Sequence, residues 1–254
     1  MYIHNIDPVL VSIGPLVIKY YSLAYILGAI IVYFIVKFLL KEKDIHLTKN
    51  KILDLIVYAL LGVLIGGRLG YVLFYNFFYY LSNPFDILAV WQGGMSFHGG
   101  LIGVFLLVYY YCKKNNLVFW KIADIMVIPI PIALFLGRMG NFINGELYGR
   151  ITDIAWAVKF KGADGFRHPS QIYEALKNLF IFMILWFTRN KKMQDGTLFS
   201  LFLILYSLLR FIIEFFREPD VQIGLLLGLS MGQWFCIVML VIGLSLHFRL
   251  KSKK

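Results

Sequence analysis

Seven long apolar runs constrain this chain more than any other feature of its sequence. A helix needs about 20 predominantly apolar residues to cross a bilayer, and the runs approach or exceed that length. They cover about 17–40, 52–75, 93–112, 122–140, 170–188, 197–216 and 231–248. They are too long for strands and lack the alternation that is typical of outer-membrane barrels. The sequence therefore predicts an all-α, polytopic membrane protein with about seven transmembrane helices, in a single domain over residues 1–254.

Composition supports this class, since 60% of the 254 residues are apolar and the mean hydropathy is +0.75. Soluble domains have about 45–50% apolar residues. The net charge of +11 does not indicate a nucleic-acid partner, because the basic residues do not form a basic helix or an aromatic-spaced RNA motif.

Most of the basic residues fall in one set of connections between the runs. That set holds Lys41, Lys43, Lys49, Lys51, Lys113, Lys114, Lys121, Arg189, Lys191, Lys192, Arg249, Lys251, Lys253 and Lys254. The opposite set begins with 76–92, which contains no Lys or Arg. By the positive-inside rule, we expect the N-terminus outside and the C-terminus in the cytoplasm.

Polar side chains recur near the outward ends of these runs. At about 1.5 Å per residue, Arg68 falls in the outer half of the second helix, and His98 lies within the first two turns of the third. Tyr21 begins the first helix and Arg138 ends the fourth. Charged residues in a membrane are costly and usually face a cavity, so we expect a cationic cavity toward the outer leaflet that favours an amphipathic anion.

Arg138 opens the most informative stretch, Arg138-Met-Gly-Asn-Phe-Ile-Asn-Gly-Glu-Leu-Tyr-Gly-Arg150. It combines an arginine with Asn141, Glu146 and Gly149 at the end of an apolar helix that Pro129 and Pro131 should kink. The longest polar interruption follows, and we expect 141–169 to form an outward-facing polar lid or head.

The sixth run places Tyr206, Arg210 and Glu214 on one helix face, with Arg217 three residues further on. Glu214 could belong to an internal Arg–Glu pair that only neutralises itself. However, two arginines around one carboxylate leave a surplus positive charge, which favours an anionic ligand. For Arg68, pairing with backbone carbonyls and direct ligand contact are equally good interpretations.

Three further features of the sequence bear on helix packing and on the site. Gly62, Gly66 and Gly70 form a small-residue stripe for close helix contact. His98 could be a structural histidine or part of the site. Ser230 fits the letters of a nucleophile elbow, but no strand precedes it, so it is interpreted as a helix start.

Five segments, in matching order, resemble the prolipoprotein diacylglyceryl transferase family. They are Gly66–Asn76, Trp91–Gly103, Arg138–Arg150, Arg167–Glu174 and Arg210–Asp220, and Asp7-Pro8, Ser12–Pro15 and Ser230–Gln233 add to them. The resemblance implies a bacterial inner-membrane enzyme with its active site toward the outer leaflet. It implies transfer of the diacylglyceryl group of phosphatidylglycerol to the lipobox cysteine of prolipoproteins, giving a thioether and releasing glycerol 1-phosphate, with no metal or other cofactor.

The family's functional residues fall here on Tyr21, His98, Arg138, Asn141, Glu146, Gly149, Tyr206, Arg210 and Glu214. On this basis Arg138 and Arg210 are expected to hold the phosphate, with Asn141 and Tyr21 in support. His98 is the first candidate for the base, and Glu146 and Glu214 are its rivals or orient the arginines.

Two other classes of protein remain as alternatives. A lipid carrier or flippase would need polar residues through the cytoplasmic half of the bundle, which is nearly pure apolar in the third, fifth and seventh runs. An intramembrane protease would need Ser230 and His98 as a pair, in a poor motif context.

Overall fold

The computed structural model describes residues 1–13, 16–218 and 225–252. Gly14, Pro15, Pro219 and Asp220 of the motifs above and the terminal Lys253 and Lys254 lie outside the described residues. The helices are α1 Tyr20–Glu42, α2 Lys49–Tyr75, α3 Phe77–Ser82, α4 Phe97–Lys114, α5 Phe119–Val127, α6 Ile130–Asn144, α7 Ser170–Thr188, α8 Thr197–Glu214 and α9 Met231–Lys251. Short 3₁₀ turns occupy Pro84–Leu88 and Val90–Gln92. The strands are β1 Tyr2–Ile3, β2 Val9–Ile13, β3 Leu16–Lys19, β4 Val158–Lys159, β5 Leu225–Leu226 and β6 Leu229–Ser230.

Among the described residues, five helical stretches are long and apolar enough to cross a membrane: α1, α2, α5 with α6, α8 and α9. The chain is thus a mostly helical, multi-pass membrane protein. The other long helices, α4 and α7, have 18 and 19 residues. The first half of α7 carries Gln171, Glu174, Lys177 and Asn178, which lowers its hydropathy. The predicted total of seven spans therefore stays a prediction.

The first apolar run, predicted from about residue 17, begins as a strand, and the helix starts near Tyr20 and Tyr21 as expected. Strands β2 and β3 form an antiparallel hairpin in which Val11 faces Ile18 and Ser12 faces Val17. Helix α1 therefore begins at Tyr20. The β-branched residues of this segment favour an extended backbone. Because they are also apolar, the sequence pattern did not distinguish them from the start of a membrane helix.

Two other boundaries have a local cause. Gly93 and Gly94 adopt φ values of 86° and 76°, so α4 begins at Phe97 and not at residue 93, and the side chain of Ser96 caps it. Arg217 lies beyond the end of α8 at Glu214, whereas the sequence placed it on that helix.

The predicted distortion at the prolines is confirmed as a break. Helix α5 ends at Val127, and α6 begins at Ile130 with Pro129 at its N-cap. Proline cannot donate an N–H group, and its ring obstructs the preceding turn. Residues 119–144 therefore form two helical segments instead of one.

The chain divides into two compact units, one of Met1–Ile35 with Met126–Lys254 and one of Val36–Ile125. We refer to them as unit 1 and unit 2. In unit 2 the predicted glycine stripe is confirmed. A Cβ atom on Gly66 would lie 2.3 Å from the carbonyl oxygen of Gly99, and one on Gly62 would lie 2.6 Å from Val104. Helices α2 and α4 are therefore in backbone contact along this stripe.

In unit 1, α7 packs against α6 and α8, and α8 packs against α9. The segment between α6 and α7, residues 145–169, folds as a small head. Its β4 pairs in parallel with β1, and its buried core contains Val158, Phe160 and Ala163. The two ends of the head are hydrogen-bonded to each other, since Gly149 N donates to His168 O at 2.9 Å and His168 N donates to Arg150 O at 3.0 Å.

We expect Gly99→Ala to destabilise the protein, because its Cβ would lie 2.3 Å from the carbonyl oxygen of Gly66 and would force α2 and α4 apart. Overpacking of this kind costs about 1–3 kcal/mol. The measurement is the thermal unfolding midpoint of the purified protein in detergent. The neighbouring Gly100→Ala is the matched control, since its nearest contact is an ordinary 3.5 Å. Equal midpoints for the two variants would contradict the proposed backbone contact.

Candidate active site

A buried carboxylate, Glu174, lies at the centre of a charged cluster in unit 1. Its side chain is 1% exposed, and its two oxygens are shared among three cations. Arg210 of α8 binds Oε1 through Nη1. Lys177 Nζ lies 2.7 Å from Oε2, and Arg138 Nε of α6 lies 3.9 Å from the same oxygen. One residue of α7 thus connects the charges of three helices.

Glu214 is the second carboxylate of the cluster, and Arg210 bridges the two. Arg210 Nη2 lies 2.6 Å from Glu214 Oε2, and Arg217 Nε lies 3.5 Å from that oxygen. Ser230 Oγ donates to Glu214 Oε1 at 3.1 Å. The i,i+4 pair of Arg210 and Glu214 confirms that these side chains lie on one helix face, as the spacing predicted.

The positive charges of this cluster exceed the negative ones. Its four cations are Arg138, Lys177, Arg210 and Arg217, and its two carboxylates are Glu174 and Glu214. Because uncompensated buried charge is costly, this surplus of two positive charges favours an anion that supplies the missing negative charge. Glu214 is thus part of a larger cationic network, and the pair it forms with Arg210 is not self-contained.

The end of α6 holds a chain of polar contacts that begins at Arg138. Arg138 Nη1 donates to Asn141 Oδ1 at 3.4 Å, and Asn141 Nδ2 donates to Glu146 Oε1 at 2.9 Å. Asn144 Nδ2 donates to the same oxygen at 3.2 Å. Gly145 ends the helix in the left-handed conformation, with φ 67°, so the chain turns back and brings Glu146 onto Asn141.

Tyr21 packs against this end of α6. A Cβ atom on Gly140 would lie 2.9 Å from the Tyr21 ring, so the glycine leaves the space that the ring needs. The Tyr21 hydroxyl lies 2.6 Å from the Tyr25 hydroxyl on the next turn of α1. The start of α1 therefore contributes two phenols beside the Arg138 segment.

Gly149 joins the head to the end of α8. It pairs with Arg217 in an antiparallel bridge, and a Cβ atom at Gly149 would lie 2.2 Å from the carbonyl oxygen of Phe216. Only a glycine permits this approach. Arg217 is thus held by backbone pairing on one side and by Glu214 on the other.

The head carries a second polar chain next to this bridge. Trp156 Nε1 donates to Tyr173 Oη at 2.8 Å, and Tyr173 Oη lies 3.1 Å from His168 Nδ1. Burial lowers the pKa of His168, which favours a neutral imidazole near neutral pH. The contact ties the head to the first turn of α7, immediately before Glu174.

Two residues predicted for the site belong to unit 2. His98 is the second residue of α4 and is half-buried. Arg68 is 4% exposed, and it donates to the carbonyl oxygens of Ile87 at 2.9 Å and Asp86 and Gly93 at 2.5 Å. These contacts match the structural alternative for Arg68, and its role in ligand binding stays a prediction.

Ser230 is the helix start that the sequence predicted, but the expectation that no strand precedes it was wrong, since the two-residue strand β6 ends at Ser230. It is the N-cap of α9 and forms a capping box with Gln233. With its hydroxyl bound to Glu214, Ser230 supports the charged cluster structurally. Within the described ranges, no group of three or more His, Cys, Asp or Glu side chains is arranged to hold a metal ion.

Sequence reasoning missed the two α7 members of the cluster, Glu174 and Lys177. Glu174 appeared only as the last residue of the family-like segment Arg167–Glu174. The available signal was a pair of opposite charges three residues apart inside an apolar helix, a spacing that places both on one face. Tyr206 of α8 was predicted, and its ring lies 3.9 Å from Lys177 Nζ.

Comparison with known proteins gives a consistent result over nearly the whole chain. The model of the prolipoprotein diacylglyceryl transferase family matches residues 8–249. Three curated relatives are each named phosphatidylglycerol–prolipoprotein diacylglyceryl transferase. One from Geobacter sulfurreducens is 47% identical over 253 residues, which is 98% of this chain and 97% of the relative. One from Rickettsia bellii is 45% identical, with 98% and 97% covered, and one from Bordetella parapertussis is 47% identical, with 96% and 95% covered.

We expect Glu174→Gln to destabilise unit 1 strongly, because it leaves Arg138, Lys177 and Arg210 without their shared carboxylate. Breaking a buried ion pair from one side costs about 3–5 kcal/mol. The measurement is again the thermal midpoint in detergent. Glu218→Gln removes the same charge from a carboxylate that is 50% exposed and pairs with Arg167, so it should cost less than about 1 kcal/mol. Similar losses for both variants would show that Glu174 does not have the central role.

Proposed function

Because the chain belongs to the prolipoprotein diacylglyceryl transferase family, we propose that it transfers the diacylglyceryl group of phosphatidylglycerol to the thiol of the lipobox cysteine in prolipoproteins. This is the first step of lipoprotein maturation. The cysteine sulfur forms a thioether with the terminal glycerol carbon of the diacylglyceryl group, the carbon–oxygen bond to phosphate breaks, and glycerol 1-phosphate leaves. The observation that carries the proposal is the buried cluster in which Arg138 and Arg210 share Glu174 within a surplus of positive charge.

The phosphate is the group that such a cluster suits. Negative charge grows on the phosphate as the carbon–oxygen bond breaks, and fixed cations in a water-poor site stabilise that charge strongly. We assign Arg138 and Arg210 to the phosphate, because a guanidinium can donate two parallel hydrogen bonds to it. Asn141 and Tyr21 support them, and Arg217 adds charge from the end of α8.

The carboxylates and the remaining residues have supporting roles in this proposal. Glu214 contacts Arg210 and Arg217, and Glu146 accepts from two amides, so both are suited to orient their neighbours. Tyr206 packs on Lys177, and Gly149 permits the contact between head and α8. For Arg68, the contacts with the carbonyl oxygens of Ile87, Gly93 and Asp86 support a structural role, and a contact with the lipid is its alternative.

The thiol must lose a proton before its sulfur attacks, since the thiolate is the nucleophile and a cysteine has a pKa near 8.5. We propose His98 as the base. Histidine is the side chain whose charge ordinarily changes near neutral pH, and Glu214 and Glu146 are assigned to orient the groups that they contact.

The chain is proposed to cross the bacterial inner membrane seven times, with its N-terminus outside and its C-terminus in the cytoplasm. The basic connections support this orientation. Under this topology the active site opens to the outer leaflet, where phosphatidylglycerol and the signal peptide of a prolipoprotein can both reach it. Residues 145–169 then form the outward-facing head, since α6 extends to Asn144 and takes up the first residues of the predicted 141–169.

We expect Arg138→Lys and Arg210→Lys to lower the transfer rate by about 100-fold or more, because a lysine cannot reproduce the planar fork of donors. The assay follows label from the diacylglyceryl group of radiolabelled phosphatidylglycerol onto the cysteine of a lipobox peptide. Arg249→Lys, in the exposed last turn of α9, is the control and should keep the rate of the unsubstituted protein. Full activity in either site variant would remove that arginine from the phosphate assignment. An unsubstituted protein that does not label the peptide would refute the proposed function.

We expect His98→Gln to lower the rate by about 100-fold, the usual contribution of a general base. The remaining rate should also rise with pH as the thiol itself ionises. Rates are measured between about pH 6 and 8 with the same peptide. His46→Gln, at an exposed position before α2, controls for the loss of an imidazole. An unchanged rate and pH profile in His98→Gln would assign the base to another group.

A further inference from the structure

Lys177 is a buried lysine that has no direct role in the proposed reaction. It lies one turn after Glu174 on α7, and its side chain is 2% exposed. Its ammonium group lies 2.7 Å from Glu174 Oε2 and 3.9 Å from the centre of the Tyr206 ring. An ammonium buried in a membrane protein is costly unless it is paired, so both contacts fix the position of Nζ.

Glu174 divides its two oxygens unequally between its neighbours. Oε1 binds Arg210, and Oε2 binds Lys177. Arg138 Nε is 3.9 Å from Oε2, which is longer than a hydrogen bond. Lys177 therefore holds the oxygen that Arg138 would otherwise take, while Arg138 stays beside the carboxylate without a short bond to it.

The same lysine also sets the charge of the cluster. With Lys177 present, the cations exceed the carboxylates by two. Without it, the surplus falls to one, and Glu174 would neutralise Arg138 instead. The loss of Lys177 would thus lower the surplus of positive charge and neutralise Arg138. Both changes reduce the positive charge that is available to an anion.

We propose that Lys177 is a positioning residue for the phosphate site: it occupies Glu174 Oε2 and thereby keeps Arg138 available for the phosphodiester of phosphatidylglycerol. The inference rests on the proposed function, because it concerns the lipid of that reaction. Lys177 does not touch the reacting atoms, and its effect should appear in the affinity for the lipid and not in the affinity for the peptide.

The first test is Lys177→Met, which replaces the charged side chain by an uncharged one of similar length. We expect the KM for phosphatidylglycerol to rise about tenfold, or about 1.4 kcal/mol, with an unchanged KM for the lipobox peptide. A purely structural role would reduce the fraction of active protein, which lowers the apparent kcat and leaves both KM values unchanged. Lys177→Arg keeps the charge and should keep the KM for lipid within about threefold. The exposed Lys192→Met is the control for the loss of one lysine.

The second test is the double variant Glu174→Gln with Lys177→Met, which removes the buried pair together. The double variant leaves a surplus of two positive charges, against three in Glu174→Gln alone, so we expect it to be more stable than that single variant. It provides the second measurement where Lys177→Met does not fold. It restores the surplus of two charges and leaves Arg138 without a competing carboxylate. We expect its KM for phosphatidylglycerol to stay within about threefold of the unsubstituted protein, even where kcat falls because Arg210 has lost its partner.

Two results would overturn the inference: a KM for lipid in Lys177→Met equal to that of the unsubstituted protein, or a KM in the double variant raised as much as in the single one. Either result leaves the proposed function intact as long as the unsubstituted protein labels the peptide. If the unsubstituted protein transfers no diacylglyceryl group, the proposed function itself fails.

Discussion

The negative charge of a carboxylate buried among membrane helices must be compensated by nearby positive charge, and three cations compensate that of Glu174. Its two oxygens bring together Arg138 of α6, Lys177 of α7 and Arg210 of α8. Arg210 extends the contact to Glu214, and Ser230 at the start of α9 donates to that second carboxylate. The relative positions of four helices thus depend on one ionised side chain.

The charge balance of the cluster supports the proposal that it binds a ligand. Equal numbers of positive and negative charges would form closed pairs, and replacing such pairs by apolar residues is often neutral for stability. Here the cations outnumber the carboxylates, and the head holds Arg217 in place through the backbone bridge to Gly149. A phosphodiester has one negative charge and would compensate half of this surplus, whereas the phosphate monoester that leaves carries up to two. The surplus of positive charge is thus the feature that connects the fold with diacylglyceryl transfer from an anionic lipid.

The sequence predicted those features that depend on local pattern. The apolar runs, the break at Pro129, the glycine stripe of α2 and the shared face of Arg210 and Glu214 all follow from spacing along one or two helices. The hairpin of β2 and β3 was missed because short β-branched segments and helical segments have similar hydropathy.

The centre of the site was harder to predict, because its partners are distant in sequence. Glu174 and Arg210 are 36 residues apart, and no periodicity shows that an acid at a helix start will meet an arginine of the next helix. For Arg68, the sequence identified a candidate site residue but did not determine its partners. Its sequence context allowed a ligand contact and a structural contact equally, and only the carbonyl oxygens around it showed which partners its guanidinium has.

The two ends of the head are hydrogen-bonded to each other, and this junction determines how the length of the head can vary. Because Gly149 and Arg150 pair with His168, the residues between them form a loop whose two ends meet. The entropic cost of closing such a loop rises by only about 0.6 kcal/mol for each doubling of its length. Insertions or deletions beyond that junction can therefore remodel the outer surface while the charged cluster keeps its geometry.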